Sequence, residues 1–416
     1  MTDPRVGSAG SEHFRWYICL FIFFATVLNY MNRQTLSIVA PLIQKDFRLD
    51  NAQLGLLFSA FYVTYGVSVA LLGELIDRLS IRIAFAVAVA WWSLATAFTG
   101  LAQSFGQLFG FRMALGVGEA ANWPVTARLV SMYMPPKERT LANSIYMGGG
   151  SLGLVLIGPL LVWLSVRHGW RAGFAVVGGL SVLWLIAWLR WFKPGRTDRL
   201  KRYDLDSSTG AAASWREVVR LPRFWGLMIA SLCGNTCLYF LMNWLPAYLV
   251  QDRGIQFGMK LGAVVIIPFL GLDLGYLASG LGVLALGRRG WTVLGARRFI
   301  LLLSAVLMSI SMAATPFVGA NTATVALLFA ATLGMAGWNS NYLCFVEELC
   351  PRKAAAVAGV VGSVGAFAGA VSLWLIGLIS KTAGSFTPVF LIVAGLIGIA
   401  SAGILLTREP YRAPAS

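Results

Sequence analysis

Arg33, Arg112 and Glu119 each stand inside a long apolar stretch of the chain. Placing an ion in a bilayer costs roughly a few kcal/mol or more, so intramembrane charges point to function. A guanidinium is a planar fork that grips a carboxylate through two hydrogen bonds, which suits a fixed cation for an anionic ligand. Glu119 follows Arg112 by seven residues, two turns on one helical face. A carboxyl there can be protonated, or ionised beside an arginine. That bistability is what proton coupling needs; a permanent structural pair would use the same residues. Tyr30, one turn from Arg33, and Tyr65 can donate hydrogen bonds to hydroxyls or pack as aromatics. Asn243 and Trp244 (MNWLP), Asn339 to Asn341 (WNSN) and Ser363 offer polar groups without fixed charge. They suit sugar hydroxyls, and interhelical hydrogen bonding accounts for them equally well. Asp273 (GLDLG) is the further acid inside an apolar run.

Such residues need spans to hold them. The chain has 416 residues, 58% hydrophobic and 12% charged, against about 25% charged in soluble proteins. Disorder needs the opposite balance. Four of the five cysteines (Cys19, Cys233, Cys237, Cys344) fall in apolar runs, which excludes a disulfide framework. A span needs about 20 apolar residues. Twelve runs qualify, near 16–38, 53–72, 83–101, 107–129, 141–164, 172–191, 224–250, 261–286, 298–317, 323–346, 354–379 and 386–406. Lipid-embedded backbone must bond to itself, so these are helices. The first run lacks a cleavage site and reads as a retained helix. The expected fold is an all-α membrane protein of two six-helix bundles, 1–191 and 223–416, joined by a basic linker at 192–222 with a short helix near Trp215–Arg220.

The net charge of +16 does not mark a nucleic-acid binder, because the basic residues sit in gaps between apolar runs. With a cytoplasmic N-terminus, 23 of the 33 Lys and Arg fall on the cytoplasmic face and seven on the other. That bias places both termini inside. Arg33 lies roughly 25 Å along the first span, and Arg112 about 8 Å into the oppositely directed fourth, so the two guanidiniums can share a depth.

The halves echo each other at an offset of 215 residues: Trp123 with Trp338, Pro136 with Pro351, Lys137 with Arg352, Gly150 with Gly365. Repeats of this kind build two bundles around a midplane site. At the same offset Arg112 meets Leu327 and Glu119 meets Gly334, so these charges belong to the first half alone. The glycines at 148–153 and 362–365 read as close-packing surfaces. Asp77 and Arg78, in the turn GELIDRLSIR, read as a gate latch or as an orientation signal.

The chain resembles the major facilitator superfamily along nearly its whole length, with a Gly-x-Leu-x-Asp-Arg-like loop at Gly73–Arg78. NYMNRQTLS (29–37), FRMALGVGEAANWP (111–124), PPKER (135–139) and NWLPAYL (243–249) are similar to bacterial hexuronate and sugar-acid members of its anion:cation symporter family. The resemblance implies proton-driven import of sugar acids in a bacterial inner membrane. It assigns Arg33 to the substrate carboxylate, Glu119 to proton coupling and Arg112 to a second buried arginine. Tyr30 and Tyr65 match family aromatics near substrate. Beside what the resemblance implies, Asn32, Trp123, Asn243, Trp244, Asn339 and Ser363 are further candidate substrate contacts, and Arg139 joins Asp77 and Arg78 as a candidate gating residue. Asn32 stands where the family pattern has Asp, and Ala366 where galactonate carriers have Asn. The first departure implies fewer protons, lost coupling or a trapped state; the second leans towards hexuronate. The expectation is a monomeric secondary carrier of a small organic anion. It needs no metal or cofactor besides the proton, and it is not an enzyme. An organophosphate exchanger or a uniporter of the same fold is the alternative.

Overall fold

A computed structural model describes residues 9–78, 80–134, 136–193, 215–349 and 354–405. The helices in chain order are α1 (Ala9–Phe47), α2 (Asn51–Arg78), α3 (Ile81–Thr99), α4 (Phe105–Glu119), α5 (Asn122–Tyr133), α6 (Pro136–His168) and α7 (Trp170–Trp191). Then come α8 (Trp215–Arg220), α9 (Pro222–Gln251), α10 (Met259–Arg288), α11 (Val293–Ala314), α12 (Asn321–Leu349), α13 (Ala354–Ala383) and α14 (Thr387–Leu405). A short 3-10 turn, Thr315–Phe317, follows α11. No strand occurs among the described residues. Eleven described helical segments are long and apolar enough to cross a membrane. The protein is a multi-pass membrane protein.

Eleven of the expected spans recur as single helices, and the short helix α8 falls on Trp215–Arg220. The fourth differs. The run 107–129 was expected as one helix; it is α4 of 15 residues and α5 of 12, joined at Ala120 and Ala121. Pro124 is the physical reason. It has no N–H to give the Ala120 carbonyl, and its ring crowds that carbonyl, so the helical ladder breaks there. Ser104 fixes the other end of α4: its hydroxyl accepts from Gln107 N at 3.3 Å, while Gln107 Oε1 accepts from Gln103 N at 2.7 Å. The Ser104 cap starts the helix two turns before Arg112.

The chain divides into two compact units. One comprises Met1–Leu36 and Val67–Thr209; the other comprises Ser37–Gly66 and Gly210–Ser416. In the first, α3 packs against α7 and α4. Glycines bring α6 onto α1: a Cβ on Gly153 would stand 2.6 Å from the Val27 carbonyl, and one on Gly150 would stand 2.9 Å from the Tyr30 ring. Gly169, at φ 81°, makes the turn from α6 to α7. Stacked Trp184 and Trp188 of α7, 5.6 Å apart, fill the space beside Phe21 and Phe85.

In the second unit, α9 packs against α13 and α14, and α12 against α10 and α11. The turn between α1 and α2 is tied into it. Asp50 Oδ1 accepts from Gln53 N at 2.8 Å, and Gln53 Oε1 accepts from Asp50 N at 3.1 Å. Burial alone would raise the Asp50 carboxyl, but the Gln53 amide and the Lys381 ammonium, 2.9 Å away, outweigh it and hold it below its ordinary value. Asn51 Nδ2 donates to Gln251 and Ser380, at 3.0 and 3.2 Å.

Gly153→Leu forces α6 away from the Val27 carbonyl. It is expected to cost about 1–3 kcal/mol, read as a lower thermal unfolding midpoint in detergent. Gly179→Leu, at a site with open space within 4 Å, is expected to leave the midpoint unchanged.

Candidate functional site

The first unit gathers the buried charges. Arg33 Nε donates to Glu119 Oε2 at 3.1 Å, joining α1 to the last residue of α4. Arg33 is 7% exposed, and Glu119 and Arg112 are fully buried. The Arg112 charge also acts on the Glu119 carboxylate. Arg33 Cζ lies 5.3 Å from the centre of the Tyr30 ring, within cation–π range. Gly150 leaves room for that ring against α6. Trp91 and Trp92 of α3 pack against Gly118, next to Glu119. The site can therefore hold a fixed cation and an exchangeable proton side by side.

Asn32 turns away from this pair. Its amide donates to the Leu28 carbonyl at 2.7 Å and to Ser181 Oγ of α7 at 2.9 Å. Trp123 stacks edge-on with Tyr146 at 5.8 Å. Asn29, one turn before Arg33, and Asn122, three residues after Glu119, are both fully buried. Neither side chain has a hydrogen-bond partner among the described residues. These asparagines, Tyr146 and Ser181 were not singled out from the sequence. Pro124 was the available signal for Asn122, because it marks the break beside it; Ser181 is 149 residues from Asn32, and no local pattern reveals such a pairing.

The second unit holds Tyr65, Asn243, Trp244, Asn339 and Ser363. Asn243 Nδ2 donates to the Tyr62 hydroxyl at 3.3 Å and to the Tyr239 carbonyl at 2.9 Å. Tyr62 and Tyr239 have ring centres 4.3 Å apart, and Tyr65 stacks on Phe61. Trp244 is fully buried between Phe58 and Phe386. Asn339 Nδ2 donates to the Tyr276 hydroxyl at 3.0 Å, on the helix that carries half-buried Asp273 one turn earlier. Ser363 is half-buried on α13. The side chains of Asp77, Arg78 and Arg139 lie outside the described residues. No three His, Cys, Asp or Glu side chains come together as a metal site among the described residues.

This geometry can be set against known proteins. The chain is similar to the D-galactonate transporter of Escherichia coli O6:H1, with 28% identity covering 99% of both chains. It is 27% identical to the hexuronate transporter of Escherichia coli K12, covering 95% of each. It is also 27% identical to the probable galactarate/D-glucarate transporter GudP of Bacillus subtilis, covering 96% of this chain and 92% of that one. A crystal structure of a bacterial homologue of the human lysosomal transporter Spinster superposes with a TM-score of 0.76 at 20% identity. That match covers 98% of this chain and 100% of the other. The sequence profile of the Major Facilitator Superfamily matches residues 22–372. With a helical membrane fold, a matching profile over most of its length and relatives that are transporters, the chain belongs to the Major Facilitator Superfamily.

Proposed function

We propose that the protein is a proton-coupled symporter of a sugar-acid anion, a hexuronate or hexonate, working by alternating access. The observation that carries this reading is the 3.1 Å pair of Arg33 with Glu119, closed off from solvent. While Glu119 is ionised, it occupies the Arg33 fork. A proton on Glu119 removes that partner and leaves the guanidinium to take the substrate carboxylate through paired hydrogen bonds. Proton and substrate then favour each other's binding, and linkage makes the effect reciprocal. Arg112 adds a second positive charge to the anion's surroundings. Tyr30, Asn32 and Trp123 in the first unit, and Tyr65, Asn243, Trp244, Asn339 and Ser363 in the second, are the proposed groups for substrate hydroxyls and ring faces. The relatives named for galactonate and hexuronate support the choice of acid. The halves rock about the bound anion, with Asp77, Arg78 and Arg139 as gating residues. The protein works as a monomer in a bacterial inner membrane, both termini cytoplasmic, with the proton as its coupling ion and no cofactor.

Two measurements test this. In proteoliposomes, Glu119→Gln is expected to keep counterflow of labelled acid while pH-driven accumulation falls at least about tenfold, since the coupling free energy is lost. Persistent accumulation overturns the assignment. Arg33→Ala is expected to weaken sugar-acid binding at least about thirtyfold, the usual scale for truncating a buried charge pair; thermal-shift titration reads it. Unchanged affinity removes the anion site from α1. Counterflow driven by phosphate and indifferent to pH would instead identify an organophosphate exchanger.

A further inference from the structure

The last third of α1 and the first half of α2 belong to the second unit: the division falls between Leu36 and Ser37 and between Gly66 and Val67. Specific bonds to α9 and α13 hold them there. Ser37, one turn beyond Arg33 on α1, is fully buried. Its hydroxyl donates to the Met242 and Asn243 carbonyls of α9, at 3.0 and 2.7 Å. Pro246 lies four residues after Met242 inside α9, and it has no N–H to offer that carbonyl. Ser37 supplies a donor where the helical ladder has none. The Asn243 side chain is held from α2, its amide donating to the Tyr62 hydroxyl at 3.3 Å. Asn243 is thus gripped twice, its backbone by α1 and its side chain by α2.

The contact continues along α2. The Ser59 hydroxyl donates to the Ala370 carbonyl of α13. One turn earlier a Cβ on Gly55 would stand 2.7 Å from the Leu373 carbonyl, and a Cβ on Gly377 would run into the Asn51 backbone. At these levels α2 and α13 meet backbone to backbone. At the tip, Gln251 Nε2 donates to Gln44 at 2.9 Å and Asn51 Nδ2 to Ser380 at 3.2 Å. The Asp50–Lys381 ion pair there has side chains 38% and 51% exposed, and exposed pairs add little. Neutral hydroxyls, amides and close packing therefore carry the hold. A sugar acid cannot pass between helices in such contact. We propose that this seam is the gate at the α1–α2 end of the protein, and that Ser37 and Tyr62, acting through Asn243, are its latches. The inference rests on the alternating-access reading above and gives Asn243 a gating role besides the one assigned there.

The test uses the full-length protein. Ser380 is 2% exposed, so Ser380→Cys gives a thiol that meets a maleimide in detergent when the seam parts. The protein without that change serves as the blank for its native thiols. Adding Ser37→Ala or Tyr62→Phe is expected to speed labelling about fivefold, the shift that one hydrogen bond gives a two-state equilibrium. Ser37→Thr, which keeps the hydroxyl, is expected to label at the original rate. Labelling that neither Ser37→Ala nor Tyr62→Phe changes, or that Ser37→Thr speeds as much as Ser37→Ala, overturns the inference. In proteoliposomes, Asn51→Cys with Ser380→Cys, bridged by oxidation, is expected to stop counterflow of labelled D-galactonate and D-galacturonate, and dithiothreitol to restore it. Counterflow through the bridged protein also overturns the inference. Counterflow absent before bridging defeats the sugar-acid reading instead, and the labelling comparison then still decides the gate.

Discussion

A guanidinium and a carboxylate held 3.1 Å apart with almost no solvent are the constraint that organises the first unit. Stripping water from each ion costs on the order of several kcal/mol, and mutual attraction offsets this only when the geometry is held. The surroundings hold it. The Ser104 cap sets where α4 begins, and four turns later that register delivers Glu119. The glycines of α6 let α1 approach closely enough to seat Tyr30 beside Arg33. Asn32 ties the opposite side of α1 to α7. A helix free to rotate would lose the pair and leave a buried ion unmatched.

The second unit is built on different chemistry. Its polar groups away from helix ends bond to one another: Asn243 with Tyr62, Asn339 with Tyr276, Asn341 with Ser279 at 2.8 Å. Neutral amides and hydroxyls pair inside a membrane at far lower desolvation cost than ions do. Arg112 and Leu327, or Glu119 and Gly334, at matched positions of the repeat therefore differ in chemistry. The first unit holds the fully buried charges Arg112 and Glu119; the second holds neutral hydrogen-bonding groups and the half-buried acid Asp273.

Much of this was legible in the sequence because it depends on local pattern. Apolar run length fixes the spans, and the small helix at Trp215–Arg220 stood out within a polar linker. The close-packing reading of Gly148–Gly153 holds at Gly149, Gly150 and Gly153, whose neighbours are α1 atoms. Depth along oppositely directed helices brought Arg33 level with Arg112; the carboxylate that Arg33 meets is Glu119, seven residues further along α4. The break after Glu119 did not emerge, because hydrophobicity is the same on both sides of it; only the covalent chemistry of Pro124 separates α4 from α5. The partners Tyr62 and Ser181 were invisible for another reason. Tyr62 lies 181 residues from Asn243 and Ser181 lies 149 from Asn32, so tertiary packing alone brings them together.

The divided fourth span has a mechanical meaning. An unbroken helix of that length behaves as one stiff rod, so a push at one end is felt at the other. Two short rods meeting at Ala120 and Ala121 concentrate compliance at the joint. Any load along the span becomes a change of angle there, and the residue immediately before the joint is the one whose carboxyl holds Arg33.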